Sequence, residues 1–112
     1  MDQIPPEVLL EWGAVFSYGE EKYGRNNWHK GAKWHEFVGS ALRHIYRWQA
    51  GEDIDPESGQ PHLAHALWNI GCLRFYQIKG IGEDDRPRGL EKGRAYVNML
   101  QAREELVIQY AE

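Results

Sequence analysis

The chain is predicted to be all-α, a bundle of four to five helices, and three observations carry that prediction. Apolar residues recur at spacings of three and four along most of its length. No segment shows convincing period-two alternation. Pro and Gly fall where helices would start and stop. At 112 residues the chain suits one domain over 1–112, with a core lean enough that oligomerisation often supplements it.

The first helix opens at Ile4-Pro5-Pro6-Glu7, where proline fits the first turn and an acid favours the helix dipole. Val8, Leu9, Trp12, Val15 and Phe16 form its apolar face, and Gly24 stops it. A basic, aromatic loop leads to the second helix, Trp34 to Gly51. Phe37, Val38, Ala41, Leu42, Ile45 and Trp48 make that helix's inner face, with His44 among them. Glu36, Ser40, Arg43 and Arg47 line the other face. An acidic turn ends in Pro61, and the third helix runs from His62 to about Lys79. Arg74 is its only charge short of Lys79, which makes it the central helix, yet His62, His65 and Asn69 form a polar stripe along it. Ile78 to Arg88 reads as a loop in which Asp84-Asp85-Arg86 is a solvated turn, and Gly89 to Glu112 as a weaker amphipathic helix.

Composition excludes several classes. Five Trp, six Tyr and three Phe supply too much apolar surface for global disorder. A lone cysteine, Cys72, rules out an internal disulfide framework and reads as a small buried thiol. There is no apolar run long enough for a membrane span and no signal-peptide pattern at Met1–Leu10, so a cytoplasmic protein is expected. The net charge of −4 argues against a protein that coats nucleic acid, and no stable nucleic-acid partner is expected.

Two constellations carry chemistry. The turn holding Glu52, Asp53, Asp55 and Glu57 precedes a helix bearing His62 and His65. Antiparallel packing of the second and third helices would bring Glu52 and Asp55 to those histidines, a donor set suited to Mn²⁺, Co²⁺ or Mg²⁺. The bland alternative is a solvated turn above core histidines. The turn is no EF-hand, because Gly59 and Ala64 break the pattern, and His62-x-x-His65 lacks the zincin glutamate. The loop from Lys22 to Trp34 interleaves four cations with aromatics, which suits phosphate and a base, or alternatively anchors the loop to the core or to a neighbouring subunit. Taken together the two suggest a metal-dependent nucleotide site.

Ile4-Pro5-Pro6-Glu7, Tyr18-Gly19, Lys22-Tyr23-Gly24, Asn27-Trp28, Lys30-Gly31, Arg43-His44, the string Gly51 to Gly59 and His62-Leu63-Ala64-His65-Ala66-x-x-Asn69 resemble the phage dATP/dGTP diphosphohydrolases. These are MazG-like members of the all-α NTP pyrophosphatase superfamily, and the similarity runs from Ile4 to about Pro87. The resemblance implies cleavage of a purine deoxynucleoside triphosphate between the α and β phosphates, with dGTP preferred and dATP accepted. It also implies a divalent metal, assembly into a homodimer or homotetramer, residence in the host cytoplasm and a role in supplying 2-aminoadenine DNA synthesis.

On that reading Glu52 and Asp55 are catalytic and hold the metal with His62, His65 and Glu36. Lys22, Lys30 and Arg43 meet phosphates, Asn27, Trp28 and Asn69 orient base or sugar, and His44 also binds substrate. One departure stands out. The superfamily carries Glu-x-x-Glu ahead of Glu-x-x-Asp, but here Lys33-x-x-Glu36 occupies the first place. If residues 36–51 form one helix, Glu36 lies about 22 Å from Gly51, too far to share an ion with Glu52 in one subunit. Two other readings are a non-catalytic nucleotide or single-strand-binding module, and a dimerisation domain with structural histidines.

Overall fold

Helix α1 (Pro6–Tyr23), a 3-10 turn (Asn27–Lys30), α2 (Trp34–Gln49) and α3 (His62–Lys79) follow in chain order. The computed structural model describes residues 2–86, 94 and 97–105. Among the described residues there is no strand, only the isolated bridges Lys33–Glu83 and Ile54–Pro61. The protein is all-α. Of the expected helix 89–112, residues 94 and 97–105 are helical and the rest lies outside the described residues.

The element ends follow from local chemistry. Pro5 is extended ahead of α1, and Pro6 takes a first-turn position where an absent N–H costs nothing. Gly24, at φ 92°, lets the chain leave α1 while its N–H caps Glu20 O at 2.9 Å. Pro61 and Gly80 bracket α3 as expected. Helix α2 ends at Gln49 rather than Gly51, because Ala50 still closes onto Tyr46 O at 3.0 Å and Gly51, at φ 105°, makes the turn.

The start of α2 departs from expectation. Lys33 gives no side-chain cap. Instead Asp85 Oδ1 accepts the His35 N–H at 3.0 Å, and its other oxygen meets His35 Nδ1. Trp34 adds a backbone N–H donated to Glu83 O (3.0 Å) and an indole N–H donated to Ile81 O (3.1 Å). Residues 84–86 are therefore not a plain solvated turn. Asp85 satisfies an orphan donor of the helix from outside it, which no local pattern announces.

Helix α3 is central, as its composition predicts: His62, Ala64, His65, Ala66, Asn69, Cys72 and Tyr76 are all buried. Helix α1 crosses it at Gly71, where an added Cβ would lie 2.6 Å from the Trp12 ring. Phe16 sets its ring edge-on against Trp68 and Trp28, with centroids 5.8 and 5.4 Å away. On α2, Ala41 is buried and Phe37 packs between Trp68 and Tyr76, while Val38, Leu42 and Trp48 are exposed. Val8 and Leu9 of α1 are exposed too, as are Leu63 and Ile70 of α3. The apolar stripes are thus wider than the faces buried within this chain. Periodicity marks a stripe but not whether its partner belongs to the same chain.

Candidate active site

The antiparallel α2–α3 pair brings the acidic turn onto the start of α3. His62 N–H donates to Asp53 O at 2.9 Å, and Asp55 N–H to Gln60 O at 2.9 Å, closing the turn over the helix. Beneath it lies a chain of imidazoles. His62, fully buried, places Nε2 at 2.6 Å from Glu52 Oε1 and Nδ1 at 2.8 Å from His44 Nδ1. The partners assign the protons: His62 Nε2–H donates to Glu52, and its bare Nδ1 accepts from His44. His44 in turn stacks on His65, with ring planes 6° apart and centroids 4.4 Å apart.

His65 Nε2 lies 2.6 Å from Ser58 Oγ and 3.6 Å from Asp55 Oδ2. Burial holds the His44 ring down to about 4, helped by the neighbouring His65 and His62. Burial also lowers His65. Burial pushes the Asp55 carboxyl up, but the Glu57 N–H at 3.1 Å, both histidines and Ser58 together bring it below the usual carboxylate range. The site therefore keeps neutral imidazoles beside an ionised carboxylate.

A polar cleft of about 380 Å³ opens over this network. Lys22 from α1 and Arg43 and Arg47 from α2 supply its positive charge, Asp55 and Glu57 its negative. Lys22 Nζ is 2.6 Å from Glu57 Oε1, and Arg47 is 3.5 Å from Glu52 Oε1. Next to it lies an aromatic cleft of about 450 Å³, with Phe16, Trp28, Phe37, Trp68 and Tyr76 in its walls and Glu20, Arg25, Asn27 and Asn69 among its polar groups. That size and lining suit a small planar ligand. Trp68 keeps its indole N–H buried without a partner among the described residues. The two clefts share Tyr18, Tyr23, Ser40 and His65, so they are continuous through a common neck.

The residues singled out in the sequence sort between these features. Lys22, Arg43, His44, Asp55 and His65 line the polar cleft. Asn27, Trp28 and Asn69 line the aromatic one. Trp28 also anchors its loop to the core, meeting Phe75 at 5.0 Å, while the Tyr76 hydroxyl donates to Trp28 O. Lys30 is exposed on the 3-10 turn and lines neither cleft. Glu52 reaches His62, as the antiparallel packing predicts, and it too lines neither cleft. Glu36 is exposed in the first turn of α2, about 20 Å from that helix's other end.

Sequence reasoning gave Tyr18, Tyr23 and Glu57 no role in the site and did not single out Trp68. Tyr18 could have been found one helical turn before Lys22, on the same face of α1. Cys72 is a buried thiol, pushed up to about 12 by burial, and takes no part.

The donor set offers the implied divalent metal no complete cage. Among the described residues no three His, Cys, Asp or Glu side chains are gathered in a way that could hold an ion. Both ring nitrogens of His62 are already engaged within the protein. The cleft nevertheless presents Asp55 and Glu57 beside three cations. That arrangement fits an ion which takes one or two carboxylates and completes its shell with phosphate oxygens and water, as Mg²⁺ does.

Comparison with known proteins decides the family. The model of the dATP/dGTP diphosphohydrolase N-terminal family matches residues 1–86. The chain belongs to that family. It is similar to a dATP/dGTP diphosphohydrolase of Salmonella phage PMBT28, with 38% identity over 83 residues, which is 74% of this chain and 28% of the phage protein. The chain thus spans little more than a quarter of the curated relative's length. No solved structure matches it. The match ends at residue 86, so the family's unit takes in α1, α2 and α3, both clefts and the Asp85 contact that starts α2.

Proposed function

We propose that the chain is a metal-dependent purine deoxynucleoside triphosphate diphosphohydrolase. It cleaves the α–β phosphoanhydride to a deoxynucleoside monophosphate and pyrophosphate, takes dGTP in preference to dATP and serves 2-aminoadenine DNA synthesis in a host cytoplasm. The single observation that carries this reading is the pair of joined clefts, one aromatic and one cationic. A nucleotide has the same division, a planar apolar base and a polyanionic tail. The relative's name, dATP/dGTP diphosphohydrolase, supports the substrate class.

In this reading Asn27, Trp28 and Asn69 hold the base, and Lys22, Arg43 and Arg47 neutralise the phosphates. Asp55 would hold a divalent ion (Mn²⁺, Mg²⁺ or Co²⁺). Bound there, the ion supplies charge neutralisation and a lowered pKa for water. Asp55 stays ionised at neutral pH and can accept a proton within the cleft. The imidazole chain from Glu52 through His62 and His44 to His65 fixes the floor of the cleft.

Incubation with each of the four dNTPs and Mn²⁺, resolved by chromatography, tests the reading. dGMP and pyrophosphate are the expected products, and release of orthophosphate alone would overturn the bond assignment. We further propose that the exposed Val38, Leu42, Leu63 and Ile70 are covered by a second copy in a homodimer or homotetramer. Sedimentation of the wild type against Leu42→Glu tests this, with a lighter species expected for the variant. A wild type that sediments as a monomer would refute it.

No helix among the described residues is long and apolar enough to cross a membrane.

A further inference from the structure

We propose that the Ser40 hydroxyl recognises the sugar of the bound nucleotide by donating to its 3′-hydroxyl. The inference rests on the placement of base and phosphates in the two clefts.

Ser40 is unusual among the helical serines. Ser17 turns its hydroxyl back onto Gly13 O at 3.3 Å, the ordinary resort of a serine inside a helix. Ser40 does not. Its Oγ accepts the Asn69 side-chain N–H at 3.1 Å, and its own proton meets no acceptor among the described residues. Asn69 is 3% exposed and donates a second bond to His65 O at 2.9 Å, so it is held to α3 and in turn holds the serine oxygen. Ser40 is thus a positioned donor with its proton to spare.

Its location selects the partner. Ser40 lines both clefts and so stands in the neck between them. With the base on one side and the phosphates on the other, the neck receives the sugar. The charges agree. The neck residues Tyr18, Tyr23, Ser40 and His65 include no lysine or arginine. Lys22, Arg43 and Arg47 lie on the polar side alone, and Arg25 on the aromatic side alone. A hydroxyl-bearing neck without lysine or arginine matches a sugar hydroxyl better than a phosphate. A deoxynucleoside triphosphate carries one such hydroxyl, at 3′.

The experiment compares dGTP with 2′,3′-dideoxyGTP as substrates of the wild type and of Ser40→Ala. One neutral hydrogen bond corresponds to about a 3- to 10-fold preference in kcat/KM for dGTP in the wild type. In Ser40→Ala that preference should shrink towards unity, with dGTP losing more of its kcat/KM than dideoxyGTP, and the melting temperature should fall slightly because the buried Asn69 N–H loses an acceptor. If the variant keeps the preference, or slows both substrates equally, the hydroxyl meets something other than the 3′ position and the inference is overturned. If the wild type cleaves no purine triphosphate at all, the parent reading falls, an outcome distinct from unchanged discrimination.

Discussion

Lys22 Nζ lies 2.6 Å from Glu57 Oε1, and the Tyr18 hydroxyl donates to the same oxygen from 3.2 Å. The last turn of α1 is thereby tied to the acidic turn across 35 residues of sequence. Lys22 draws the Glu57 carboxyl below the usual carboxylate range, so the pair is ionised at neutral pH. Glu57 consequently occupies the lysine that a phosphate would want. In metal-free, low-salt buffer, Glu57→Gln should tighten the binding of inorganic pyrophosphate. Because exposed ion pairs are weak, the gain should be no more than about 5-fold. Lys22→Ala should weaken it. Titration calorimetry on the three proteins decides, and weaker binding by the Glu57 variant would show that the glutamate does not compete.

Asp55 is the carboxylate most firmly placed in the polar cleft, bonded to the Glu57 N–H and the Ser58 hydroxyl. Asp55→Asn keeps the shape and removes the charge. Turnover of dGTP with Mn²⁺ should fall by about 100-fold or more, the range expected when a positioned acid–base group is lost. Chelation of the metal should abolish the turnover of the wild type. An Asp55→Asn protein with near-normal kcat would remove Asp55 from the chemistry.

The parallel stack of His44 on His65 sets the pH response of the fold. The His44 ring stays neutral in the folded protein down to about 4, against an ordinary 6.5, chiefly because of burial. Between those values the unfolded chain binds a proton that the folded one refuses. Stability is therefore complete above pH 6.5 and is lost as pH falls towards 4, and His65 acts in the same direction. In metal-free buffer the melting temperature should decline over that window, with a shallower decline for His44→Gln. A melting temperature that rises on acidification would contradict this account.

The sequence was legible where a signal is local. Pro61 and Gly80 bracket α3 at the expected bounds, and the stripe of His62, His65 and Asn69 is buried in the structure. The glutamate–histidine meeting also follows from pattern alone, since antiparallel helices joined by a short turn bring Glu52 to His62. Three features were not legible. Asp85 reads as part of a turn because its partner, His35, is 50 residues away. Glu57 reads as one acid among several because only the fold brings Lys22 to it. The outer apolar residues of α2 read as core because the periodicity of a helix is the same whether its stripe meets its own chain or another.

Two glycines, both inside helices, should respond oppositely to the same change. At Gly13 a Cβ meets nothing within 4 Å, so Gly13→Ala should stabilise by about 0.5–1 kcal/mol through helix propensity. At Gly71 it would lie 2.6 Å from the Trp12 ring, so Gly71→Ala should cost about 1–3 kcal/mol by forcing α1 away from α3. Urea unfolding of both variants gives the two signs directly. A stabilised Gly71→Ala would mean that the helices do not cross there.

The Asp85 contact also bears on how the protein is made. Helix α2 carries Ser40, Arg43 and His44, yet its first turn is completed by a side chain that follows α1, α2 and α3. On the ribosome, α2 and α3 can pair as soon as both have emerged, but the opening of α2 must stay frayed until residues 81–86 follow. Closing so long a loop is slow compared with forming a helix. The two clefts should therefore be among the last features of the molecule to reach their final shape.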